Sequence, residues 1–244
     1  KSTYNMDDIS FVGGNFTYDG TPKSIYITGT LPTGVNVTYK NNAQTNAGSY
    51  TVTEEFTGDT DNYNKITART ATLLINKANY NMSFVRFTSK SFVYDGTEKS
   101  LAISGTLPTG VSVSYANNGQ INVNEYTVTA KFAGDENNYN AISDMTATLT
   151  ITQATPFVEA LCEQSLNVYS SVELIADTDV AGTIIFDAEQ ELVLGTNTYT
   201  WTFIPEDSHN YTNVSGTISL TVGALVQFYN DNQLFDSQNV VLNN

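Results

Sequence analysis

Apolar and polar residues alternate with a period of two along most of the chain. In the first third, the runs Val35, Val37, Tyr39 and Tyr50, Val52 have Asn or Thr between their members. Such alternation is typical of strands that bury one face. Turn sequences such as Asp19-Gly20 separate the runs, because Gly accepts a positive φ angle. The pattern predicts an all-β protein built from antiparallel, Ig-like β-sandwich modules, with no helix of ten residues.

The pattern itself recurs with a period of 76 residues. The segment 18–21, Tyr-Asp-Gly-Thr, returns at 94–97, and about 37 positions are identical between residues 18–78 and 94–154. A third copy has diverged further. The motif Asp-x-x-Asn-Tyr nevertheless occurs in all three copies, where it ends at Tyr63, Tyr139 and Tyr211. Tandem repetition of one structural unit follows.

The repeats predict four segments. They are a first module at 1–78, a second at 79–154, a diverged third at 155–223, and the truncated start of a further β module at 224–244. The linkers near Lys77-Ala78 and Gln153-Ala154 are a residue or two long, so we expect the modules to be arranged end to end. Because the chain opens on Lys1 without Met, we expect it to be a piece of a longer protein.

The net charge restricts the partners that the chain can bind. The chain has 25 acidic and 10 basic residues, a formal net charge of −15, and no basic residue follows Lys131. Such a charge opposes binding to nucleic-acid phosphates and to anionic membrane surfaces. We therefore predict no nucleic-acid partner and no direct membrane binding, and we expect a monomer.

Several motifs are similar to those of a known family. The Tyr-Asp-Gly-Thr and Leu-Pro-Thr-Gly-Val motifs, with the stretches 48–52 and 144–151, resemble the MBG-type (YDG-containing) bacterial Ig-like repeats. The third module resembles a related bacterial Ig-like repeat, and residues 226–244 resemble the opening of a Listeria–Bacteroides type repeat. The resemblance implies a large extracellular bacterial protein, attached to the cell surface or secreted. It brings no catalytic residues.

Residues suited to catalysis are few. The one histidine, His209, occupies a motif slot that Asp61 and Asn137 fill in the other copies, which favours an exposed loop position. The one cysteine, Cys162, has no base near it in sequence. The pair Glu54-Glu55 becomes Ala130-Lys131 in the second module, and we interpret it as a surface pair. We predict that the chain is not an enzyme.

Calcium is the one metal that the sequence keeps open. Clustered loop carboxylates offer oxygen ligands at Asp59, Asp61, Asp135, Asp177 and Asp179. None of these loops has the spacing of an EF-hand, and Asp is common in turns because its side chain bonds nearby main chain. Turns without metal are the favoured interpretation, and no other cofactor is expected.

The repeated Tyr63, Tyr139 and Tyr211 have two interpretations. A tyrosine before a strand in an Ig-like sandwich can bury its ring at a corner between sheets and bond main chain. Alternatively, exposed rings stack on sugars. Corner packing is favoured, because the position recurs in the diverged third module.

These observations lead to three functional hypotheses. The first is a non-enzymatic stalk or spacer in a bacterial surface or secreted protein, with a contribution to adhesion. The second is a carbohydrate- or mucin-binding adhesin that uses Tyr and Asn side chains. The third is an accessory segment of a surface enzyme. The expected partners are host or cell-surface glycans or proteins.

Overall fold

The computed structural model describes residues 1–230 and 233–240, and all of its regular elements in these ranges are strands. The chain divides into two compact units. The first unit contains residues 1–87, 102–116 and 129–146. The second contains residues 88–101 and 117–128 and the chain from Ala147 onward. The second module thus contributes to both units.

The first module forms one four-stranded sheet. Its strands are β1 (Gly14–Thr17), β2 (Asn36–Lys40), β3 (Gly48–Thr57) and β4 (Arg69–Asn76). They lie in the order β1-β4-β3-β2. The pairs β2/β3 and β3/β4 are antiparallel, whereas β1 runs parallel to β4. The sheet is therefore mixed, which the chain permits because β1 and β4 are separated by two other strands.

The second module repeats this sheet. Its strands are β5 (Lys90–Val93), β6 (Ser112–Ala116), β7 (Asn124–Ala133) and β8 (Met145–Thr152), in the order β5-β8-β7-β6. Strand β5 is parallel to β8, as β1 is to β4. The 76-residue period of the sequence is thus also a period of the topology.

The third module and the segment that follows it have more strands. They are β9 (Val158–Leu161), β10 (Leu166–Asn167), β11 (Ile175–Thr178), β12 (Gly182–Phe186), β13 (Gly195–Pro205), β14 (Val214–Asn230) and β15 (Gln233–Val240). Strand β11 pairs with β9, and the larger sheet has the order β10-β14-β13-β12, with β15 on β14. The predicted boundary at 223/224 falls inside β14. Positions 231–232 and 241–244 of the predicted last segment lie outside the described residues.

The prediction of tandem β-sandwich modules is confirmed. In the first module, Val52, Leu73 and Ile75 face inward from β3 and β4 and are at most 1% exposed. Ile25 packs against them, whereas Ile9 is buried in a separate cluster with Val35 and Phe56. Isolated bridges such as Ser10–Thr28 join the extended segments that contain Ile9 and Ile25. The alternation of apolar and polar residues places one face of each strand in this core.

One inward position holds a charged residue. Glu54 is fully buried, and neither carboxylate oxygen has a hydrogen-bond partner among the described residues. The nearest cation is Arg69, whose Nε lies 3.8 Å from Glu54 Oε1 and whose Nη1 donates to the carbonyl of Ile9 at 2.8 Å. Burial raises the pKa of Glu54, and Arg69 opposes the shift. The interpretation of Glu54 as a surface residue was therefore wrong, whereas Glu55 does pair with Lys40 at 2.6 Å.

The second module replaces both partners by neutral residues. Ala130 stands 76 positions after Glu54, and Met145 stands 76 positions after Arg69. Ala130 is fully buried. The two modules therefore fill the same place once with a charged pair and once with apolar groups.

The charged pair predicts a difference between single and double substitutions. We expect Arg69→Met to destabilise the first module by about 3 kcal/mol, because it leaves a buried carboxylate without its cation. The double change Glu54→Ala and Arg69→Met, which copies the second module, should restore most of this loss. Hydrogen exchange of peptides from β3 and β4 measures the effect, with peptides from β7 as internal control.

The raised pKa of Glu54 adds a pH dependence to this experiment. An acid that binds its proton more tightly in the folded state stabilises that state as pH falls towards the unfolded pKa, about 4.3. Relative to Glu54→Gln, the original first module should gain stability as pH falls from neutral towards about 4.3. If Arg69→Met alone were as stable as the double variant with Glu54→Ala and Arg69→Met, Glu54 would not depend on Arg69 as its counter-charge, and this account of the charged pair would be contradicted.

Candidate functional site at the module junctions

The Asp-x-x-Asn-Tyr motif forms a loop that its aspartate holds in shape. In the first module, Asp59 Oδ1 accepts the main-chain N–H groups of Asp61 (2.9 Å) and Asn62 (3.2 Å). Its Oδ2 accepts Asn62 Nδ2 at 2.7 Å. Asp135 and Asp207 make the same side-chain bond to their asparagines, each at 2.8 Å. The aspartate therefore fixes the direction of the asparagine side chain.

These bonds also affect titration. Hydrogen bonds from the motif asparagine, and from main-chain N–H groups, lower the pKa values of Asp59, Asp135 and Asp207. Hydrogen bonds to an ionised carboxylate favour the charged form. The stabilisation is present above the unfolded pKa of about 3.9 and is lost as pH falls through the lower folded value. The loops are therefore fully held at neutral pH.

In the first unit, the asparagine of the second module docks onto the first module. Asn138 is 7% exposed. Its Oδ1 accepts the main-chain N–H of Ala47 at 2.8 Å, and its Nδ2 donates to Asn46 Oδ1 at 3.4 Å. Residues 46 and 47 lie just before β3. We call this contact the first junction.

The second unit contains the same arrangement one module further on. Asn210 of the third module is 5% exposed. Its Oδ1 accepts the N–H of Val123 at 2.8 Å, and its Nδ2 donates to Asn122 Oδ1 at 3.2 Å. We call this contact the second junction. The chain thus builds one interface twice from corresponding residues.

Two tyrosines meet at each junction. The ring of Tyr139 lies edge-on to the ring of Tyr18 at the first junction, with centroids 5.4 Å apart. At the second junction, Tyr211 lies edge-on to Tyr94 at 5.3 Å. Tyr18 and Tyr94 open the Tyr-Asp-Gly motifs, so the two repeated motifs of the sequence contact each other between modules. Such edge-to-face pairs contribute about 0.5–1.5 kcal/mol beyond area burial.

The three predicted corner tyrosines are half-buried. Tyr63 stacks on Tyr4 at 4.1 Å, and Tyr139 stacks on Tyr80 at 4.0 Å. The hydroxyl groups of Tyr4 and Tyr80 accept the N–H groups of Asp59 and Asp135. Burial raises the pKa of Tyr211. The tyrosine that bonds main chain in the first two modules is thus the stacking partner.

The linker at the first junction is hydrogen-bonded on both sides. The N–H of Tyr18 donates to the carbonyl of Asn76 at 2.9 Å, and the N–H of Ala78 donates to the carbonyl of Asn138 at 2.9 Å. Only Lys77 lies between these bonds, and its Nζ donates to the carbonyl of Glu136 at 2.6 Å.

The second junction has the same linker. Thr152 accepts from the N–H of Tyr94 at 2.9 Å, and Ala154 donates its N–H to the carbonyl of Asn210 at 3.0 Å. The intervening Gln153 donates to the carbonyl of Ser208 at 2.9 Å. Each linker is therefore one residue long, and that residue is itself bonded.

A comparison with known families assigns the repeats. The family model of the MBG domain matches residues 8–79 and 84–155. The chain belongs to the MBG domain family. MBG and Ig-like repeat families are generally non-catalytic, and MBG repeats are typical of extracellular surface proteins. A comparison with curated proteins gave no match.

Solved structures similar to this MBG protein are distant. Drosophila N-cadherin EC1-3 is 10% identical over 88% of this chain and 100% of its own, with a TM-score of 0.35. The titin I-band fragment I67-I69 is 12% identical over 89% and 98%, at 0.27. The Bacteroides ovatus mixed-linkage glucan utilization protein SGBP-B is 13% identical over 95% and 66%, at 0.24. TM-scores this low carry no argument about function.

Three of the five candidate calcium ligands, Asp59, Asp135 and Asp179, have other partners. Asp59 and Asp135 use both carboxylate oxygens within their loops, and Asp179 Oδ1 accepts the N–H of Phe157 at 3.0 Å. Asp177 lies in β11, and Asp61 donates its N–H to Asp59. No three His, Cys, Asp or Glu side chains are grouped as a metal site within residues 1–230 and 233–240. Turns without metal stay the favoured interpretation of these carboxylates, and calcium binding there is an open alternative.

The remaining candidates, His209 and Cys162, have no catalytic partner among the contacts that the structure gives them; His209 is beside the second junction, where its carbonyl accepts from Gln153 Nε2 at 3.3 Å. His209 is exposed in the loop of the third module. Cys162 is a free thiol that packs against the core around Leu166 and Tyr199. Among the described residues, no helix is long and apolar enough to cross a membrane.

Sequence reasoning missed the motif asparagines. It assigned no role to Asn138 or Asn210, whereas both are buried polar contacts between modules. One signal was present: the asparagine is the same in all three copies, while the slot before it holds Asp61, Asn137 or His209.

The first junction predicts a difference between two equivalent asparagines. Asn138→Ala should lower the free energy of unfolding by about 1–3 kcal/mol, because the N–H of Ala47 loses its acceptor. Asn62→Ala removes the same bond within the loop but no contact to another module, and is the matched control. Calorimetric unfolding of the two variants gives the comparison. Equal losses would show that Asn138 acts only within its own loop.

Proposed function

We propose that this MBG chain is a non-enzymatic spacer, a stalk segment of a large bacterial surface or secreted protein. The observation that carries the proposal is the repeated junction. Asn138 and Asn210 accept the N–H groups of Ala47 and Val123 at the same distance, 2.8 Å, in two separate units. A spacer needs a fixed orientation between successive modules. The junction supplies a specific contact that fixes this orientation and that can be repeated along a chain of modules.

The energy of a junction supports this role. Opening one would lose a hydrogen bond, which contributes about 0.5–1.5 kcal/mol net of rehydration, and a tyrosine pair, about 0.5–1.5 kcal/mol. The gain in freedom on opening is limited, because a one-residue linker lets the modules separate over few orientations. The two contacts together contribute about 1–3 kcal/mol, and since each 1.4 kcal/mol is tenfold in population, they favour the docked junction by about 5- to 140-fold.

The family supports a location outside the cell, because MBG repeats are typical of extracellular surface proteins. A net charge of −15 keeps a protein soluble and monomeric and opposes contact with anionic membrane surfaces. We propose that the chain is an extracellular monomer. An accessory segment of a surface enzyme would use the same junctions in the same way, beside a catalytic domain.

A cleft in the first module favours glycan binding as a second candidate. It has a volume of about 560 Å³ and is lined by Thr38, Glu55, Thr57, Lys65 and Thr67, with Phe56, Ile66 and Ala68. Hydroxyl, carboxylate and ammonium groups beside an aromatic ring are suited to sugar hydroxyls. The corner tyrosines are less suited, because Tyr139 and Tyr211 face other rings at the junctions.

The spacer proposal is tested by the width of a distance distribution across the first junction. Cysteines replace the exposed, equivalent Thr38 and Ser114, both in the first unit, in a Cys162→Ala background and carry spin labels. We expect pulsed electron paramagnetic resonance to give one narrow distribution of distances between the two spin labels. Adding Asn138→Ala should broaden it, and adding Asn62→Ala should not. A broad distribution without any junction substitution would contradict the spacer role.

Glycan binding needs its own measurement. A glycan array probed with the chain should show binding that Lys65→Ala and Glu55→Gln abolish and that Asn62→Ala leaves unchanged. Binding that survives both cleft substitutions would contradict this site. Absence of binding on the array would favour the spacer alone.

A further inference from the structure

The Asp-x-x-Asn-Tyr loop of the first module has the same internal geometry as the loops at the two junctions, but among the described residues no other module contacts it. Asn62 Nδ2 donates to Asp59 Oδ2 at 2.7 Å, as Asn138 does to Asp135 at 2.8 Å. Asn62 is nevertheless exposed, whereas Asn138 is 7% exposed. No donor among the described residues reaches Asn62 Oδ1, the atom that accepts a main-chain N–H at both junctions.

The aromatic part of the loop is also in place. Tyr63 and Tyr4 stack with centroids 4.1 Å apart and planes at 16°. Tyr139 and Tyr80 stack at 4.0 Å and 14°, and Tyr139 in addition receives Tyr18 on its edge. The first module therefore presents the same ring pair that the second module uses in the first junction.

The start of the chain follows the path of a linker. Ser2 donates its N–H to the carbonyl of Asn62 at 3.0 Å, as Ala78 does to Asn138 at 2.9 Å. Lys1 Nζ donates to the carbonyl of Thr60, and Lys77 Nζ donates to the carbonyl of Glu136. A segment joined before Lys1 would thus occupy the place that Asn76 has before Lys77.

We propose that the face formed by Asn62, Tyr63 and Tyr4 is a docking site for a further MBG module. The partner must present a tyrosine edge, a main-chain N–H and a side-chain oxygen in the positions of Tyr18, Ala47 and Asn46. This proposal rests on the spacer function and names the partner of the first module. The existing junctions supply the argument, since the same loop is covered by these groups in both.

A second copy of this chain does not offer those groups through its third module. By alignment of Tyr199 with Tyr50, the positions of Asn46 and Ala47 become Gly195 and Thr196. Both are already paired in the sheet, opposite Val222 and Thr221 of β14. The occupant is therefore a module of the first two kinds, joined directly before Lys1.

A fused chain tests the proposal. Residues 1–76 are placed directly before Lys1 of the complete chain, so that the new connection reads Asn-Lys-Ser where the first junction has Asn76-Lys77-Ala78. We expect Asn62→Ala in the original first module to lower the unfolding temperature of the fused chain as much as Asn138→Ala does. In the unfused chain Asn62→Ala should cause no more than a small shift, which also shows that the variant folds.

A second variant separates the contact from a general effect of fusion. Tyr18→Ser in the added copy removes the ring that would meet Tyr63, and it should reduce the effect of Asn62→Ala in the fused chain. If Asn62→Ala is neutral in the fused chain while Asn138→Ala still lowers its unfolding temperature, the docking site is overturned and the spacer function stands. If both are neutral, both proposals are overturned. Concentration-dependent dimers of the unfused chain that Asn62→Ala dissolves would overturn the choice of partner.

Discussion

A buried asparagine side chain is the constraint on which the junctions depend. An amide group removed from water is costly unless it is hydrogen-bonded, and Asn138 meets this condition only with groups from two modules. Asp135 accepts from its Nδ2, and Ala47 donates to its Oδ1. Without the neighbour the amide would be exposed to water, as that of Asn62 is, and the bond from Ala47 would be lost. The other features of the junction support this hydrogen bond: the aspartate orients the asparagine side chain, and the short linker keeps the asparagine close to the neighbouring module.

The module cores vary more freely than the junctions. The inward position of Glu54 holds Ala130 in the second module, and by strand register it holds Phe203 in the third. In the third module, Trp201 lies opposite Gly216, where a Cβ atom would come within 2.3 Å of the indole ring. A core accepts such exchanges when its volume is refilled. A junction has no equivalent freedom, since it depends on one hydrogen-bond geometry.

The sequence was sufficient for the elements that local pattern encodes. Period-two alternation predicted the strands, and the 76-residue repeat predicted two modules of one topology. The parallel pairing of β1 with β4 was not predictable, because Gly14–Thr17 is four residues long and its partner lies in the last strand of the module. Glu54 was misread although alternation puts it on the same face of β3 as Val52 and Phe56, because its exchange for Ala130 in the second module was taken as variation at the surface.

The junction could not be predicted from the sequence for a further reason. Asn62 and Asn138 lie in nearly identical local sequences, yet one is exposed and the other is buried, so the difference comes entirely from the neighbouring module. Local pattern can predict a turn at both places but cannot tell which one is covered. Repetition of the asparagine in a diverged third copy was the available clue, and it acquires a meaning only once Ala47 and Val123 are seen to donate to it.

The most direct measurement of the central claim is amide exchange, by nuclear magnetic resonance, at the two donors of the junctions. Ala47 and Val123 lie immediately before β3 and β7, where an N–H without a partner would exchange nearly as fast as in a loop. Our account predicts that both amides are protected in the intact chain, and that Asn138→Ala removes protection at Ala47 while leaving Val123 unchanged. Fast exchange of both amides in the intact chain would contradict it.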